Sequence, residues 1–135
     1  MKTLNFKTIL IDHIENEYAK FWIEKDILHF VYKNGISIDQ SVAMKVVEDR
    51  LLLQQGKTLS ILCDMRGVKK INKSARNYLA LEGSILIKAV ALLVNNPLSS
   101  TISGFYIKTS NPAIITQVFT DEKEALKFLN NQVDI

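Results

Sequence analysis

Two short, almost wholly apolar runs constrain the fold of this chain most strongly. Residues 59–63 and residues 88–94 each have the length of a strand and carry almost no polar face. Strands of this kind are typical of the centre of a sheet that is covered on both faces. Apolar residues recur at helical spacing in the segments around them. Strands that alternate with helices in this way predict a mostly parallel sheet with helical crossovers.

The chain ahead of these runs predicts a β-hairpin. Residues 19–32 read as two strands joined by a tight turn near Lys25 and Asp26. Four helices are expected downstream, over residues 39–54, from Asn72 or Ser74 to Gly83, from Ser99 or Ser100 to Asn111, and from Asp121 onward. The predicted order is β-β-α-β-α-β-α-β-α. This is an α/β fold with a mixed, mostly parallel sheet of about five strands, opened by a hairpin, and about four helices.

Length and composition indicate one globular domain. The chain has 135 residues, of which 47% are hydrophobic and 23% charged, so it can bury a sizeable core. We assign residues 1–16 to an N-terminal arm or short strand and residues 17–135 to the domain. A single cysteine excludes an internal disulfide, and we recognise neither a signal peptide nor an apolar run long enough to span a bilayer. We therefore expect a cytoplasmic protein.

The most unusual stretch, residues 61–80, reads ILCDMRGVKKINKSARNYLA. Asp64 ends the apolar run, and a cluster of five basic residues follows: Arg66, Lys69, Lys70, Lys73 and Arg76. Open α/β sheets place binding sites where a parallel strand ends and a helix begins, and helix N-termini favour anions. The cluster predicts a contact surface for a phosphate, an anionic lipid head group or an acidic partner protein. The alternative is a solvated face of an exposed helix.

The same stretch resembles a known family. STAS domains (sulfate transporter and anti-sigma-factor antagonist) often carry wording of the type D-L-S-G-V-x-x-I-D-S-S-G-L after a strand. Residues 64–76, DMRGVKKINKSAR, follow that register without a gap and agree in type at Asp64, Gly67, Val68, Ile71 and Ser74. The segments KAVALLVNNP and VFTDEKEALKFL are similar to the SpoIIAA-like branch. The chain is identified as a member of this superfamily, in a small bacterial branch, which implies a single-domain SpoIIAA-like sandwich.

The resemblance also implies a regulatory role. Ser74 falls on the serine that partner kinases phosphorylate in bacterial anti-sigma-factor antagonists, which makes it a candidate phosphoacceptor. The chain departs from the family wording at Asn72, Lys73 and Ala75, and a lysine beside the serine changes what a kinase would meet. The alternative is that Ser74 is simply a first-turn serine of a helix.

The remaining reactive residues do not predict catalysis. Cys63 lies inside an apolar run, where a thiol is protonated and inert, and Asp64 is expected to cap the following turn or to pair with an arginine. The two histidines, His13 and His29, lack the spacing of metal ligands. We expect no cofactor, no metal and no enzymatic activity.

Two hypotheses of function follow. The first is a non-catalytic regulatory or protein-interaction module, with an unidentified protein partner bound at residues 66–76 and the third helix. The alternative is a protein that binds a small apolar ligand or lipid, in a pocket lined by Tyr32, Phe105 and Tyr106. A homodimer through the hairpin edge or the third helix is a further expectation. The net charge of +3 is too small to predict nucleic-acid binding.

Overall fold

The computed structural model describes residues 12–132. Eight strands and four helices follow one another in this range: β1 (His13–Glu15), β2 (Ala19–Glu24), β3 (Ile27–Tyr32), β4 (Ile36–Ile38), α1 (Gln40–Gln54), β5 (Leu59–Asp64), β6 (Val68–Ile71), α2 (Lys73–Leu81), β7 (Ile87–Leu93), α3 (Pro97–Ser110), β8 (Thr116–Phe119) and α4 (Glu122–Asn130). A single 3-10 turn, Glu82–Ser84, extends α2. No helix within the described range has the length and apolar character needed to cross a membrane.

The main sheet has six strands in the order β1-β2-β3-β5-β7-β8. Its first two pairings are antiparallel and the next three are parallel. The predicted α/β fold, with a mixed, mostly parallel sheet and four helices, is therefore confirmed. The sheet is one strand wider than expected because β1 pairs with β2.

The hairpin turns at Lys25 and Asp26, as the sequence indicates. Both residues have positive φ angles, 51° and 64°, which match the mirror-image turns that suit the twist of paired strands. Phe21 and Phe30 stack across the hairpin with their ring centroids 4.9 Å apart. Among the described strands, β1 pairs with β2 from Lys20 to Trp22, so the edge strand on this side of the sheet is β1, and a homodimer contact here stays a prediction. Of the segment assigned to an arm or short strand, residues 1–11 lie outside the described residues.

The helices cover the two faces of the sheet unequally. Helices α1, α2 and α3 pack on one face over the larger core, which includes Phe21, Leu28, Phe30 and Ile61. On the other face α4 packs its Ala125 and Leu129 against a smaller core of Ile27, Leu62, Ala89, Ala91 and Leu93. Strand β5 is buried along its whole length because it lies between these two layers.

Short polar side chains fix where the helices begin. Asp39, Asn72, Asn96 and Asp121 each accept a hydrogen bond from a backbone N–H of the following turn. Helix α3 begins at Pro97, not at Ser99 or Ser100, because Asn96 supplies the cap and proline suits a first helical position. The expectation that Gly83 ends α2 is also corrected, since the helix ends at Leu81 and Gly83 lies within the 3-10 turn.

A second, two-stranded sheet was not predicted. Strands β4 and β6 pair in parallel at the start of α1 and α2, and the Gly67 carbonyl accepts hydrogen bonds from the N–H groups of Gly35 and Ile36. The sequence predicts only a turn after Asp64. The β6 segment, Val-Lys-Lys-Ile, has buried ends and an exposed centre, which is not the alternation typical of a strand.

Candidate functional site

The structure divides the predicted basic cluster. Lys69 and Lys70 lie on β6, and Lys73 is the first residue of α2. All three are exposed, and none forms a salt bridge with another residue of the described range. These three lysines lie within five residues of one another, on β6 and at the start of α2, and we call them the lysine corner. The two arginines of the cluster are held by neighbouring groups.

Arg66 is held by Asp64. Its Nε lies 2.9 Å from Asp64 Oδ1 and its Nη2 lies 2.6 Å from Oδ2, and the Arg66 backbone N–H donates to Oδ1 at 3.0 Å. The prediction that Asp64 caps the turn or pairs with an arginine is confirmed. Hydrogen bonding to this carboxylate raises the pKa of Arg66. Arg66 lines a shallow groove beside Trp22 and His29, on the α4 face of the sheet.

Arg76 joins α2 to α3. Its Nη1 donates to the Ile71 carbonyl at 2.9 Å, and its guanidinium carbon lies 4.7 Å from the centre of the Phe105 ring. This separation suits a cation–π contact. Arg76 Nε is buried without a hydrogen-bond partner in the described range. Arg76 is therefore a structural bridge at the side of the lysine corner.

Ser74 occupies the first turn of α2 and is exposed. Its hydroxyl donates to Asn72 Oδ1 at 3.1 Å, while the same oxygen accepts the Ala75 backbone N–H at 2.9 Å. A phosphate on Ser74 would lie at a helix N-terminus, where the dipole favours negative charge. Phosphorylation of Ser74 stays a prediction.

Helix α3 buries two serines and leaves two of its large apolar residues exposed. Its buried residues are Ser99 and Ser103, at 1% and 0% exposure, whereas Leu98 and Phe105 are 53% and 49% exposed. The prediction that Phe105 points inward is wrong, because the helix turns its serines toward the interior and its phenylalanine lies outside, beneath Arg76. Ile102 is half-buried between the two exposed residues.

We name the resulting patch the α3 surface. It consists of an apolar stripe on α3 and the adjoining basic residues: Leu98, Ile102, Phe105, Arg76, Lys69, Lys70 and Lys73. The three stripe residues are four and three positions apart, so they share one side of the helix. The patch therefore combines an apolar centre with a positively charged border.

A cavity of about 90 Å³ lies between the sheet and helices α1, α2 and α3. Most of its wall is apolar, with Val46, Ile61, Val90 and Leu92 among the lining residues. The polar residues of the wall are Tyr32, Arg50, Cys63, Ser84, Tyr106 and Thr116. Two of the three predicted pocket residues, Tyr32 and Tyr106, thus line the same cavity, whereas Phe105 lies outside it.

Arg50 is the cavity residue that sequence reasoning missed. It is 3% exposed, and it donates through Nη1 to Gln54 Oε1 and to the Ile85 carbonyl at 3.1 Å, and through Nη2 to the Gly83 carbonyl at 3.2 Å. Gln54 in turn donates to the carbonyls of Lys57 and Leu86 at 2.8 and 2.9 Å. The sequence signal was present, because Arg50 falls on the apolar side of α1.

Arg50 is the one residue of the cavity wall whose side chain is charged at neutral pH. Desolvation lowers the pKa of Arg50 to about 10, so the guanidinium remains charged at neutral pH. Burial raises the pKa of the Cys63 thiol and of the Tyr32 and Tyr106 hydroxyls, so these three groups are neutral there. No Asp or Glu between residues 12 and 132 forms a salt bridge with Arg50. The cavity is therefore positively charged.

The histidines do not assemble a metal site. The His29 ring stacks on Trp22 at a centroid distance of 5.3 Å, and desolvation lowers the pKa of His29. His13 lies on the edge strand β1. Among residues 12–132, no group of three or more His, Cys, Asp or Glu side chains could hold a metal ion.

Comparisons with known proteins support the fold and leave the activity open. The family model described as a domain of unknown function, DUF7793, matches residues 21–133. A solved structure from Shewanella loihica PV-4, described as an uncharacterized DUF3478-family protein with a SpoIIAA-like fold, superposes with a TM-score of 0.60. The two chains share 14% identity, and the match covers 86% of this chain and 98% of that one, so the likeness concerns the fold. None of the curated proteins matches the sequence.

Proposed function

Because this chain belongs to the DUF7793 family and has a SpoIIAA-like fold, we propose that it is a non-catalytic regulatory module that binds a partner protein. Its contact site is the α3 surface. The partner presents an apolar group to the α3 stripe and acidic residues to the lysines. A cytoplasmic location, suggested by the sequence, belongs to the same proposal.

The exposure of two large apolar residues on α3, beside Arg76, is the observation that carries this proposal. A helix normally buries its large apolar residues, because burying each one stabilises the fold by about 1.5–3 kcal/mol. Here Leu98 and Phe105 are about half exposed, while two serines occupy the interior. An exposed apolar patch rimmed by polar residues is typical of a protein–protein contact.

Charge supports an acidic partner. Lys69, Lys70 and Lys73 form no salt bridges within the described range, so their positive field extends into solvent. Complementary charge around an interface steers the encounter and selects the partner. Arginine and aromatic residues are also common at the energetic centre of interfaces, and Arg76 already lies over Phe105.

The same surface could be regulated at Ser74. This exposed serine lies one residue after Lys73, so a phosphate there would neutralise part of the lysine field. Binding to an acidic partner would then weaken when Ser74 is phosphorylated. This regulatory step is inferred from the family resemblance together with the position of Ser74.

The decisive experiment reverses the charge of the surface without touching the core. Lys69→Glu with Lys73→Glu, and separately Phe105→Ala, are compared with the wild-type chain as bait in a pull-down. The matched control is Lys123→Glu with Lys127→Glu, which makes the same change of charge on exposed residues of α4. A protein captured by the wild type and by the control, and lost from both surface variants, is then purified and titrated.

We expect each surface variant to bind the purified partner about tenfold more weakly or worse. This is the usual effect of reversing an interface charge or removing an aromatic anchor. The circular-dichroism melt should be unchanged in the lysine variant, whose altered side chains are exposed, and slightly lowered in Phe105→Ala, which loses the contact with Arg76. Equal capture by all variants would contradict the proposal, as would equal loss from the α4 control.

A second candidate function, the binding of a small molecule, is favoured by the cavity beneath the helices. Two tyrosines predicted from the sequence, Tyr32 and Tyr106, meet in its wall. Its volume of about 90 Å³ is smaller than the roughly 150 Å³ of an engineered cavity that holds benzene. A small ligand fits this space better than a lipid acyl chain, and native mass spectrometry of protein taken directly from cells would detect a retained adduct.

A further inference from the structure

We propose that the cavity between the sheet and helices α1, α2 and α3 binds a small monocarboxylate, whose carboxylate pairs with Arg50 and whose alkyl part packs on Ile61, Val90 and Leu92. This inference rests on the second candidate function and gives it a ligand class. It does not depend on the α3 surface.

The uncompensated charge of Arg50 is the first argument. An ion taken out of water is costly unless an opposite charge accompanies it. Arg50 is 3% exposed, and its protein partners in residues 12–132 are neutral: one amide oxygen and two backbone carbonyls. A bound anion would supply the charge that the described residues do not.

Unused hydrogen-bond donors are the second argument. A guanidinium carries about five N–H donors. Arg50 uses three of them, toward Gln54, Ile85 and Gly83. The hydroxyls of Tyr32 and Tyr106 also line the cavity, and neither forms a hydrogen bond with another described residue. Tyr32 lies close enough to Arg50 and Tyr106 to interact with both electrostatically. The Arg50 guanidinium and the two hydroxyls therefore line one cavity, where an anion could accept hydrogen bonds from them.

The walls and the volume of the cavity indicate the charge, the apolar character and the size of the ligand. One cation balances one negative charge, whereas a phosphate dianion would need further donors. The remaining wall is largely apolar, which suits a short alkyl chain. A cavity of about 90 Å³ admits a molecule somewhat smaller than benzene, so a carboxylate with a few carbon atoms fits.

The ligand can enter at one end of the cavity. Several lining residues are only partly buried, and they come from the segment after α2 and from the loop before β8: Gly83, Ser84, Pro112 and Thr116. The Ala113 backbone N–H donates to the Ala80 carbonyl at 3.0 Å, so the loop before β8 is joined to the last turn of α2.

The test uses sodium propionate as the probe, with propionamide as its neutral counterpart and sodium phosphate as a second anion. Each is added to the ¹⁵N-labelled full chain while backbone amide resonances are followed. We expect propionate to shift the amides of cavity residues such as Gly83, Val90 and Leu92 in a saturable way. Propionamide should bind about tenfold more weakly or worse, since it cannot form a charge-assisted pair with the guanidinium.

Two variants locate the site, and neither requires Arg50 to be removed. Cys63→Leu places extra bulk in the cavity and should abolish the propionate response, whereas Tyr106→Phe should weaken it by several-fold through loss of one hydroxyl. An Arg50→Met variant, if it folds, should lose the preference for propionate over propionamide.

Four results would overturn the proposal: no saturable shift of the cavity amides, equal binding of propionamide, binding of phosphate in preference to propionate, or a retained response in Cys63→Leu. Loss of partner capture in the α3 surface variants is a separate outcome, so failure here and failure of the interaction proposal can be distinguished.

Discussion

At the scale of single residues, serine and phenylalanine exchange their usual places on α3. Ser103 is fully buried, and its Oγ has no hydrogen-bond partner among the described residues. Ser99 is equally buried, but its Oγ lies 3.3 Å from both the Asn95 N–H and the Asn96 carbonyl. The two serines therefore make different contributions to stability, although they lie one turn apart.

We expect Ser103→Ala to raise the free energy of unfolding by about 1 kcal/mol, because it removes a buried hydroxyl that has no partner. Ser99→Ala is the matched comparison and should lower it by a similar amount, since it removes hydrogen bonds at the start of α3. Urea denaturation of both variants measures the difference. A loss of stability in Ser103→Ala would show that its hydroxyl has a partner in solution.

Residue-level prediction from the sequence succeeded where local chemistry decides the outcome. The pairing of Asp64 with Arg66 and the burial of Cys63 follow from short sequence separation and from an apolar run. Phe105 was misplaced and Arg50 was overlooked, because their positions depend on how α1 and α3 pack against the sheet. An arginine on the apolar face of a helix indicates a buried polar site, because a buried charge is costly unless other groups compensate it.

At the scale of elements, the β4–β6 sheet depends on one close approach of two backbones. A Cβ added to Gly67 would lie 2.5 Å from the Lys33 carbonyl oxygen and 2.9 Å from that of Tyr32. These atoms belong to the main chain, so they cannot move aside as a flexible side chain would. Gly67 therefore lets the chain leaving β5 pass directly beneath the end of β3.

Gly67→Ala should lower the free energy of unfolding by about 1–3 kcal/mol, the usual cost of forcing extra volume into a packed site. The comparison is Gly104→Ala in α3, where an added Cβ meets nothing within 4 Å. That substitution should raise stability by about 0.5–1 kcal/mol, because alanine favours the helical conformation. Thermal melts of the two variants should move in opposite directions, and equal shifts would contradict this account.

Long or strongly patterned elements were predicted well from the sequence. The hairpin, the central strands β5 and β7 and all four helices were expected close to their observed positions. Strands β4 and β6 have three and four residues, so neither is long enough to display a period. Their existence follows from the parallel crossovers that bring them together, which is a tertiary effect.

At the scale of the whole molecule, the sheet separates two cores of unequal size. Three helices cover one face and a single short helix, α4, covers part of the other. Strands β3 and β5 lie in the middle of the sheet, whereas β1 and β8 form the edges among the described strands. Local stability should therefore decrease from the middle of the sheet toward its margins.

Native-state hydrogen exchange tests this gradient. The amides of β3 and β5 should exchange only through global unfolding, while those of β1, β8 and the β4–β6 sheet should exchange through smaller openings at lower free energy. The comparison is internal to one sample, so it requires no variant. Equal protection of edge and central strands would show that the molecule opens only as a single unit.

The sequence predicts the overall fold better than it predicts the candidate site. Alternating strands and helices, with the stretch from Asp64 to Arg76, were enough to predict a SpoIIAA-like fold, which the structural comparison shows. The candidate site was only partly predictable. The lysines are exposed, as either interpretation of the basic cluster requires, and their role as a contact surface stays a prediction. Their separation from Arg66 and the cavity around Arg50 result from packing across several elements.

Phe105 and Tyr106 are neighbours in the chain, yet one lies beneath Arg76 at the surface and the other lines the cavity. A rotation of α3 that adjusts Tyr106 around a guest molecule must also displace Phe105. Occupation of the interior and docking at the exterior would then be thermodynamically coupled, each changing the affinity of the other by the same factor. In that case these two adjacent aromatic rings would make the affinity for the partner depend on whether a metabolite is bound in the cavity.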